Sequence, residues 1–252
     1  MQSFAESVRT AKGPCLIATG QAGFILKSKG GQLLAIDLYL SECVERLEGN
    51  TGFKRLLPKL LAPDELTFDA VVCTHPHWDH FDVDAVPAML YNGKTRLFCS
   101  VDCEQLIDRL QLGYYAAQIT YVKPLEHYEI GDFTLDFVNC DHGTGAPDAV
   151  GVVVTVDGKR VYEAGDTCLR LDRVGEIEQP LDVLIAPING AYGNLNERDC
   201  AALAKALQPD VTVPCHYGMF ACHHGDVGAF VDAMRIENLP FLLLRQGEQR
   251  TL

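Results

Sequence analysis

The densest group of side chains able to do chemistry lies at residues 74–80, which read Thr-His-Pro-His-Trp-Asp-His. Neutral imidazole is a common ligand for zinc and related ions, and carboxylates suit the harder ions. Alternation along the backbone can send His75 and His77 to one side while Asp79 and His80 turn to another. This spacing suits two adjacent divalent ions better than one, and we interpret the segment as a metal site.

The metal-binding segment follows a predicted strand. Residues 69–73 read Asp-Ala-Val-Val-Cys, a short apolar run with β-branched residues that is typical of a buried strand. Asp82 or Asp84 can then start a helix. The candidate ligands therefore sit where a strand ends and a loop begins.

A metal that keeps an open position for water also needs ligands from other parts of the chain. Three more predicted strands are followed by candidate ligands, namely His142 after 133–138, Asp166 after 160–164 and His216 after 211–213. Open α/β sheets collect functional groups at the carboxyl ends of their strands. We therefore expect these side chains to meet the 74–80 segment.

Predicted strands and helices alternate along the chain. Strands are expected at 24–27, 32–37, 69–74, 95–100, 119–122, 133–138, 150–156, 160–164, 182–187, 211–213 and 240–245. Helices are expected at 41–61, 83–91, 102–111, 196–207 and 225–237, with Asn196 as a cap. Residues 28–31 and Asp157-Gly158 each predict a hairpin turn. Hairpins and strand–helix units in both halves, without a linker, predict two sheets sandwiched by helices in one domain, residues 1–252.

Charge and length limit the classes of function. The chain has 252 residues, enough for one sizeable α/β domain. Its net charge of −13 disfavours binding to nucleic acid or to an anionic membrane. We expect a small-molecule substrate, which can be anionic if Lys or Arg lines the pocket. The oligomeric state is left open, a homo-oligomer included.

The N-terminus and the cysteines bear on localisation. Residues 1–6 show no basic region followed by an apolar stretch, and no apolar run in the chain has the length of a membrane span. The ten cysteines form no C-x-x-C pair. Reduced thiols in a cytoplasmic protein fit this pattern better than a disulfide framework.

Three further histidines need separate interpretation. His127 lies among polar residues, and we expect it at the surface. His223 and His224 follow the strand that leads to His216, so they can reach the pocket or face solvent from the first turn of a helix. Both alternatives stay open.

The order of these residues resembles the metallo-β-lactamase superfamily. The matching elements are the His75-x-His77-x-Asp79-His80 motif, then His142, then Gly165-Asp166-Thr167, and then His216. The likeness covers nearly the whole chain and implies an α/β fold, a four-layer αββα sandwich with two mixed β-sheets flanked by helices. It further implies one ion held by His75, His77 and His142, a second held by Asp79, His80 and His216, and Asp166 bridging both.

Within the superfamily, the chain is most similar to the L-ascorbate-6-phosphate lactonase group. The stretches that carry this closer match are 21–24 ahead of Ile36-Asp37, 74–84, 189–194 and 214–220. The chain is shorter than those lactonases, and Trp78 fills a position usually held by a smaller or polar residue. The group includes members with a single manganese, so the resemblance implies one or two divalent ions per chain, Zn²⁺ or Mn²⁺.

The resemblance implies a metal-dependent hydrolase that uses metal-activated water on a small lactone or ester, such as a phosphorylated sugar lactone. The candidate catalytic residues are Asp79, His80 and Asp166. The candidate substrate-binding residues are Asn189, Tyr192 and His223, of which the first two can donate hydrogen bonds to the substrate or to a developing oxyanion. Because Asn-Gly is also a strong turn dipeptide, a structural role for the 189–194 loop is the alternative.

Three other functions compete with this one. A phosphodiesterase or nuclease of the same fold would use the same metals, but it needs a basic approach surface that an acidic chain does not provide. A di-iron oxidoreductase of the superfamily usually carries a carboxylate where His77 stands, which counts against it. A non-catalytic metal-binding protein is the third alternative, and the complete ligand set makes it the weaker one.

Overall fold

The computed structural model describes residues 2–252. The strands in this part of the chain are β1 (Cys15–Gly20), β2 (Gly23–Lys27), β3 (Leu33–Ile36), β4 (Ala70–Cys73), β5 (Arg96–Ser100), β6 (Ile119–Val122), β7 (His127–Ile130), β8 (Phe133–Asn139), β9 (Val150–Val156), β10 (Lys159–Glu163), β11 (Val183–Pro187), β12 (Val211–Cys215) and β13 (Gln249–Thr251). The α-helices are α1 (Phe4–Thr10), α2 (Cys43–Glu48), α3 (Ala85–Leu90), α4 (Glu104–Arg109), α5 (Glu197–Leu207) and α6 (Val227–Ile236).

The strands form two mixed sheets. The first has the order β13-β1-β2-β3-β4-β5-β6, and the second has the order β12-β11-β10-β9-β8-β7. In the first sheet, β1 to β3 are antiparallel, whereas β3 to β6 are parallel. In the second, β10 to β12 are parallel and β7 to β10 are antiparallel. Each parallel part sends its carboxyl ends to one edge, where functional groups can gather.

Three apolar cores separate the layers. One lies between the two sheets and contains Phe98 and Val152. Another lies between the first sheet and its helices and includes Val86 of α3, and a third includes Leu203 of α5 beneath the second sheet. Val152 faces the inner core and its neighbour Val153 faces the outer one, because successive side chains of a strand point to opposite faces. The order helix, sheet, sheet, helix confirms the predicted αββα sandwich.

The predicted helix at 196–207 is confirmed as α5. The Asn196 side chain accepts hydrogen bonds from the backbone N–H groups of Arg198 and Asp199, and the Asp199 carboxylate accepts one from the N–H of Asn196. This reciprocal capping box satisfies N–H groups that the first turn of a helix leaves free. Cys200, Leu203, Ala204 and Leu207 are buried along one face, as their spacing predicts.

The prediction that residues 41–61 are mostly helical is wrong. This segment contains only the short helix α2 and one 3-10 turn, Thr51–Phe53. Gly49, with φ of 65°, ends α2 in a left-handed conformation that glycine adopts without strain. The remainder is irregular and runs past Pro58, which cannot donate a helical hydrogen bond.

The predicted final strand at 240–245 is also wrong. It makes one isolated bridge to β12, between Phe241 and Thr212. The chain then turns through Gly247, whose φ is 83°, and its last strand β13 pairs with β1 in the other sheet. The apolar residues of the segment pack instead as loop residues, with Leu242 and Leu244 against the inner core.

The structure also bears on two expectations about localisation. Among residues 2–252, none of the helices combines the length and the apolar character that a bilayer crossing requires. The ten cysteines are all free thiols, and only Cys168 and Cys222 are partly exposed.

The capping box gives a test of the fold. Replacing Asn196 with Ala removes the acceptor for two N–H groups and should lower the free energy of unfolding by about 1 kcal/mol. Urea denaturation of both proteins measures the difference. The nearby exposed variant Arg198→Ala should change stability by less than about 0.5 kcal/mol. Equal stability of Asn196→Ala and wild type would contradict the capping role.

Candidate metal centre

Strand ends from both sheets converge at one edge of the sandwich. His75 follows β4, and the turn behind it, in which the N–H of His80 donates to the carbonyl of His77 at 2.9 Å, brings His80 back towards the strand. Asp166 follows β10 and His216 follows β12. Three groups of candidate ligand atoms each lie within 4.8 Å of one another, which confirms that the predicted strand ends meet.

The first cluster consists of His75, His77 and His142. His77 Nδ1 lies 2.9 Å from His75 Nε2 and 3.0 Å from His142 Nε2. Neutral imidazoles at this spacing cannot satisfy one another fully, because each carries one donor and one acceptor. Lone pairs that converge in this way fit a divalent ion, and the nitrogen donors are of the type that zinc and related ions prefer.

The second cluster consists of Asp79, His80 and His216. His80 Nε2 lies 3.3 Å from His216 Nε2 and 3.6 Å from the Asp79 carboxylate. Asp166 lies between the clusters, with its Oδ2 at 3.1 Å from His216 Nε2 and 3.9 Å from His142 Nε2. The grouping matches the two ligand sets that the resemblance implies, while the role of each atom in metal binding stays a prediction.

The two clusters differ in protonation. Burial lowers the pKa of His75, and the partial loss of solvent around His77 lowers its pKa in the same direction. Burial lowers the pKa of His142 to about 4, so the first cluster is neutral at pH 7. Burial acts in the same direction on His216, but the carboxylates of Asp166 and Asp79 outweigh it and raise the pKa of His216 to about 9. A proton and a divalent cation therefore compete for the second cluster.

Asp37, at the end of β3, orients one ligand of each cluster. Its fully buried carboxylate accepts hydrogen bonds from His80 Nδ1 at 2.7 Å and from the Thr74 hydroxyl at 2.6 Å. Thr74 Oγ1 in turn lies 3.0 Å from His75 Nδ1. With Nδ1 of both histidines engaged, Nε2 of each is left to face the centre, which is the arrangement that metal-binding histidines usually need. The backbone N–H of Thr74 also donates to Asp37, at 2.8 Å.

Gly165 explains how Asp166 reaches the centre. Its φ is 65°, and a Cβ atom at this position would lie 3.0 Å from the carbonyl oxygen of Val150 and 3.2 Å from Cys140 Sγ. Only glycine fits both the left-handed backbone and this close approach. The chain can therefore turn sharply after β10 and place Asp166 beside both clusters.

A cavity of about 420 Å³ opens above the centre. Its floor contains side chains of both clusters, and His77 is the exposed one among the seven candidate ligands. One part of the wall is apolar and is formed by Val44, Phe53, Pro76, Trp78 and Leu106. Charged residues at the cavity are Glu48, Asp102 and Arg109. The volume suits a small molecule.

Two of the three predicted substrate-binding residues line the cavity, and one does not. Tyr192 and His223 line the cavity, with ring centroids 5.4 Å apart. Asn189 is buried in the turn of its loop, where its Oδ1 accepts a hydrogen bond from Asn194, and it is not among the residues that line the cavity. His224 is exposed, as is His127, which lies on β7 and pairs with Asp136.

Two residues that contact the centre were not assigned a role from the sequence. Asp37 directly follows β3, and Gln21 lies in the turn between β1 and β2. Both have a positive φ, 47° for Asp37 and 55° for Gln21. Gln21 Nε2 lies 2.8 Å from the Asp79 carboxylate. The available signal was their presence in stretches that resemble the lactonase group, but neither residue type at its position points to metal chemistry by itself.

Comparison with known proteins identifies the family. The model of the β-lactamase superfamily domain matches residues 41–217. The chain belongs to the metallo-β-lactamase superfamily. It is 26% identical to a UPF0173 metal-dependent hydrolase of Carboxydothermus hydrogenoformans over 92% of this chain and 97% of that protein. A relative of the same description from Archaeoglobus fulgidus is 27% identical over 91% and 95%.

The fold of this metallo-β-lactamase superfamily member is similar to that of a solved archaeal protein. Igni18, a metallo hydrolase of Ignicoccus hospitalis, superposes with a TM-score of 0.74 at 25% identity over 94% of this chain and 97% of that one. The predicted superfamily is thereby confirmed, and the comparisons support a metal-dependent hydrolase at that coarse level. The closer likeness to the lactonase group stays a prediction.

The hydrogen bond between Asp37 and His80 leads to a testable consequence. Asp37→Asn removes a charged acceptor, so the second cluster should bind metal about 10- to 100-fold more weakly. Competition with a chromophoric chelator measures the affinity. Asp136→Asn, which changes the surface carboxylate bonded to His127, is a matched control and should have no effect. Unchanged affinity in Asp37→Asn would contradict the orienting role.

The protonation difference predicts a pH dependence of metal binding. The His216 pKa of about 9 means that an ion at the second cluster must displace a proton at pH 7. Affinity there should rise about tenfold per pH unit for each proton released, up to about pH 9. Binding at the first cluster should be nearly independent of pH above about pH 5, because His142 titrates near 4. Calorimetry in buffers of different ionisation enthalpy counts the protons, and equal proton release in both steps would contradict this assignment.

Proposed function

We propose that the protein is a metal-dependent hydrolase that attacks a small lactone or ester with metal-activated water. One or two divalent ions, Zn²⁺ or Mn²⁺, would be held by His75, His77 and His142 and by Asp79, His80 and His216, with Asp166 between them. The observation that carries the proposal is the convergence of these groups beneath an open cavity, which five of them line. A purely structural metal site is usually closed by its ligands instead.

The chemistry follows from the donor groups. Bound divalent ions supply Lewis-acid polarisation and lower the pKa of water towards neutrality. Asp79 lines the cavity and is 9% exposed, and Gln21 holds one of its oxygens. Its carboxylate can orient the attacking water and accept its proton. His80, fixed through Asp37, keeps its Nε2 directed to the centre, and Asp166 lies 3.4 Å from His80 and 3.9 Å from His142, a position from which it would contact an ion in either cluster.

The cavity wall supports a substrate with an apolar portion. Phe53, Trp78 and Leu106 offer an apolar surface beside the centre. Arg109 is a cation at the cavity, and the carboxylates of Glu48 and Asp102 lie at the same cavity. Outside the metal ligands, the cavity carries two acidic residues and one basic residue, so a dianionic phosphate would gain no net attraction from them. Within the proposed class, we therefore favour an uncharged or singly charged lactone or ester over a phosphorylated sugar lactone.

An activity screen tests the proposal. Protein loaded with Zn²⁺ or Mn²⁺ should hydrolyse small lactones and aryl esters, and a chelator should abolish turnover. Phosphorylated lactones, phosphodiesters and amides should be poorer substrates in the same screen. A preference for phosphodiesters would support the nuclease-type alternative. No turnover of any compound by fully loaded protein would support a non-catalytic metal-binding protein.

Substitution of Asp166 tests the shared carboxylate. Asp166→Ala should abolish both metal retention and turnover, because one group is removed from both clusters at once. Elemental analysis after gel filtration measures retention, and ester hydrolysis measures turnover. Asp232→Ala, at an exposed position of α6, should behave like wild type. An Asp166→Ala protein that keeps its metal and its activity would show that the bridging assignment is wrong.

A further inference from the structure

Gln21 is a buried amide in the centre that the proposed hydrolysis does not yet use. It lies in the tight turn between β1 and β2 and is 3% exposed. Its Nε2 lies 2.8 Å from Asp79 Oδ2 and 3.1 Å from His223 Nδ1. The amide therefore connects a candidate metal ligand with a candidate substrate-binding residue.

The hydrogen-bonding capacity of Gln21 fixes the direction of both contacts. A carboxylate such as Asp79 can only accept, so the amide must present its NH₂ end to it. This group has two N–H donors, and the second faces His223 Nδ1. Nε2 of Gln21 is nearly equidistant from both ring nitrogens of His216, at 3.3 and 3.2 Å, so neither is favoured as a partner.

The contact determines which nitrogen of His223 carries the proton. If Nδ1 accepts from Gln21, the neutral ring must carry its hydrogen on Nε2. The hydrogen bond to Gln21 is the one side-chain hydrogen bond of His223 that the structure records within residues 2–252. An N–H donor is thus available on a ring that lines the cavity.

The ring of His223 is held firmly in place. It stacks on His216 with centroids 4.8 Å apart and planes inclined by 15°. The rings of Phe220 and Phe53 meet it edge-on at 5.0 and 5.6 Å. A donor that is fixed in this way needs little reorganisation when a substrate oxygen approaches.

Gln21 offers one further group. Its Oε1 is buried and has no hydrogen-bond partner among the residues that the structure describes. Buried polar atoms are rarely left unpaired, so this oxygen can accept a hydrogen bond from a buried water molecule. It is an acceptor beside Asp79, while His223 is a donor.

We propose that Gln21 and His223 form a positioning pair, in which the Gln21 amide holds His223 as its Nε2–H tautomer and this N–H donates to the acceptor oxygen of the lactone or ester. The inference rests on the proposed function, because it names a contact to the substrate of that reaction. Gln21 acts through His223 and Asp79, and His223 contacts the substrate itself.

Nuclear magnetic resonance tests the pair without any turnover. In protein labelled with ¹⁵N-histidine, the His223 signals, assigned by their loss in His223→Phe, should show a protonated Nε2 and an unprotonated Nδ1. Gln21→Glu replaces both N–H donors with an acceptor, so the proton should move to Nδ1 or the ring should become doubly protonated. Gln249→Glu, on exposed β13, should leave the signals unchanged. A proton on Nδ1 in wild type, or an unchanged spectrum in Gln21→Glu, would overturn the pair.

Kinetics tests the contact to the substrate, with 4-nitrophenyl acetate as the probe and metal content measured in every variant. His223→Phe keeps the ring but loses the N–H, and it should lower kcat roughly 10- to 100-fold at unchanged metal content. His223→Gln, which restores an N–H donor, should recover part of the loss. The exposed variant His127→Phe should match wild type.

The double variant Gln21→Glu with His223→Phe completes the test. Because Gln21 also contacts Asp79, part of its effect should persist, but Gln21→Glu should slow the His223→Phe protein by a clearly smaller factor than it slows wild type. Full activity of His223→Phe, or losses that multiply in the double variant, would overturn the proposal. Failure of loaded wild-type protein to hydrolyse any ester or lactone would overturn the proposed function and the substrate contact. A wrong tautomer would overturn the pair alone, so the two failures are distinguishable.

Discussion

The carboxylate of Asp37 accepts hydrogen bonds from His80 and, through the hydroxyl of Thr74, sets the position of His75. One buried charge thereby orients a ligand in each cluster. Such a charge is costly to bury unless every oxygen is engaged, and here the surrounding donors engage both oxygens. The rest of the centre depends on this contact, because a histidine that rotates or changes tautomer no longer directs Nε2 inward.

The sandwich makes this contact possible by bringing distant strand ends to one edge. β3 and β4 are parallel neighbours, so Asp37 and Thr74 emerge side by side although they are 37 residues apart. The second sheet contributes Asp166 and His216 to the same edge. The cavity combines an apolar part of its wall with a strongly polar floor, as expected of a site that binds a small molecule and acts on it with charge.

The sequence predicts a structural feature well where the feature depends on neighbouring residues, and poorly where it depends on contacts between distant residues. The density of imidazoles at 74–80 predicts metal binding, and the cap at Asn196 predicts the start of α5, since both depend on neighbouring residues. The roles of Asp37 and Gln21 depend on contacts across 43 and 58 residues, which no local pattern reveals. Likewise, β13 pairs with β1 from the far end of the chain, and no local pattern distinguishes this short polar strand from the apolar run at 240–245 that precedes it.

The most direct test of the proposed metal centre is a crystal structure of the protein grown with its metal, with anomalous diffraction recorded at the absorption edges of zinc and manganese. At least one peak should lie at bonding distance from the imidazole nitrogens of His75, His77 and His142, about 2.0–2.1 Å for zinc. A second peak, if present, should lie between Asp79, His80 and His216, with Asp166 reaching both. Fully loaded protein whose metal lies elsewhere, with these side chains free of it, would contradict the proposed metal centre.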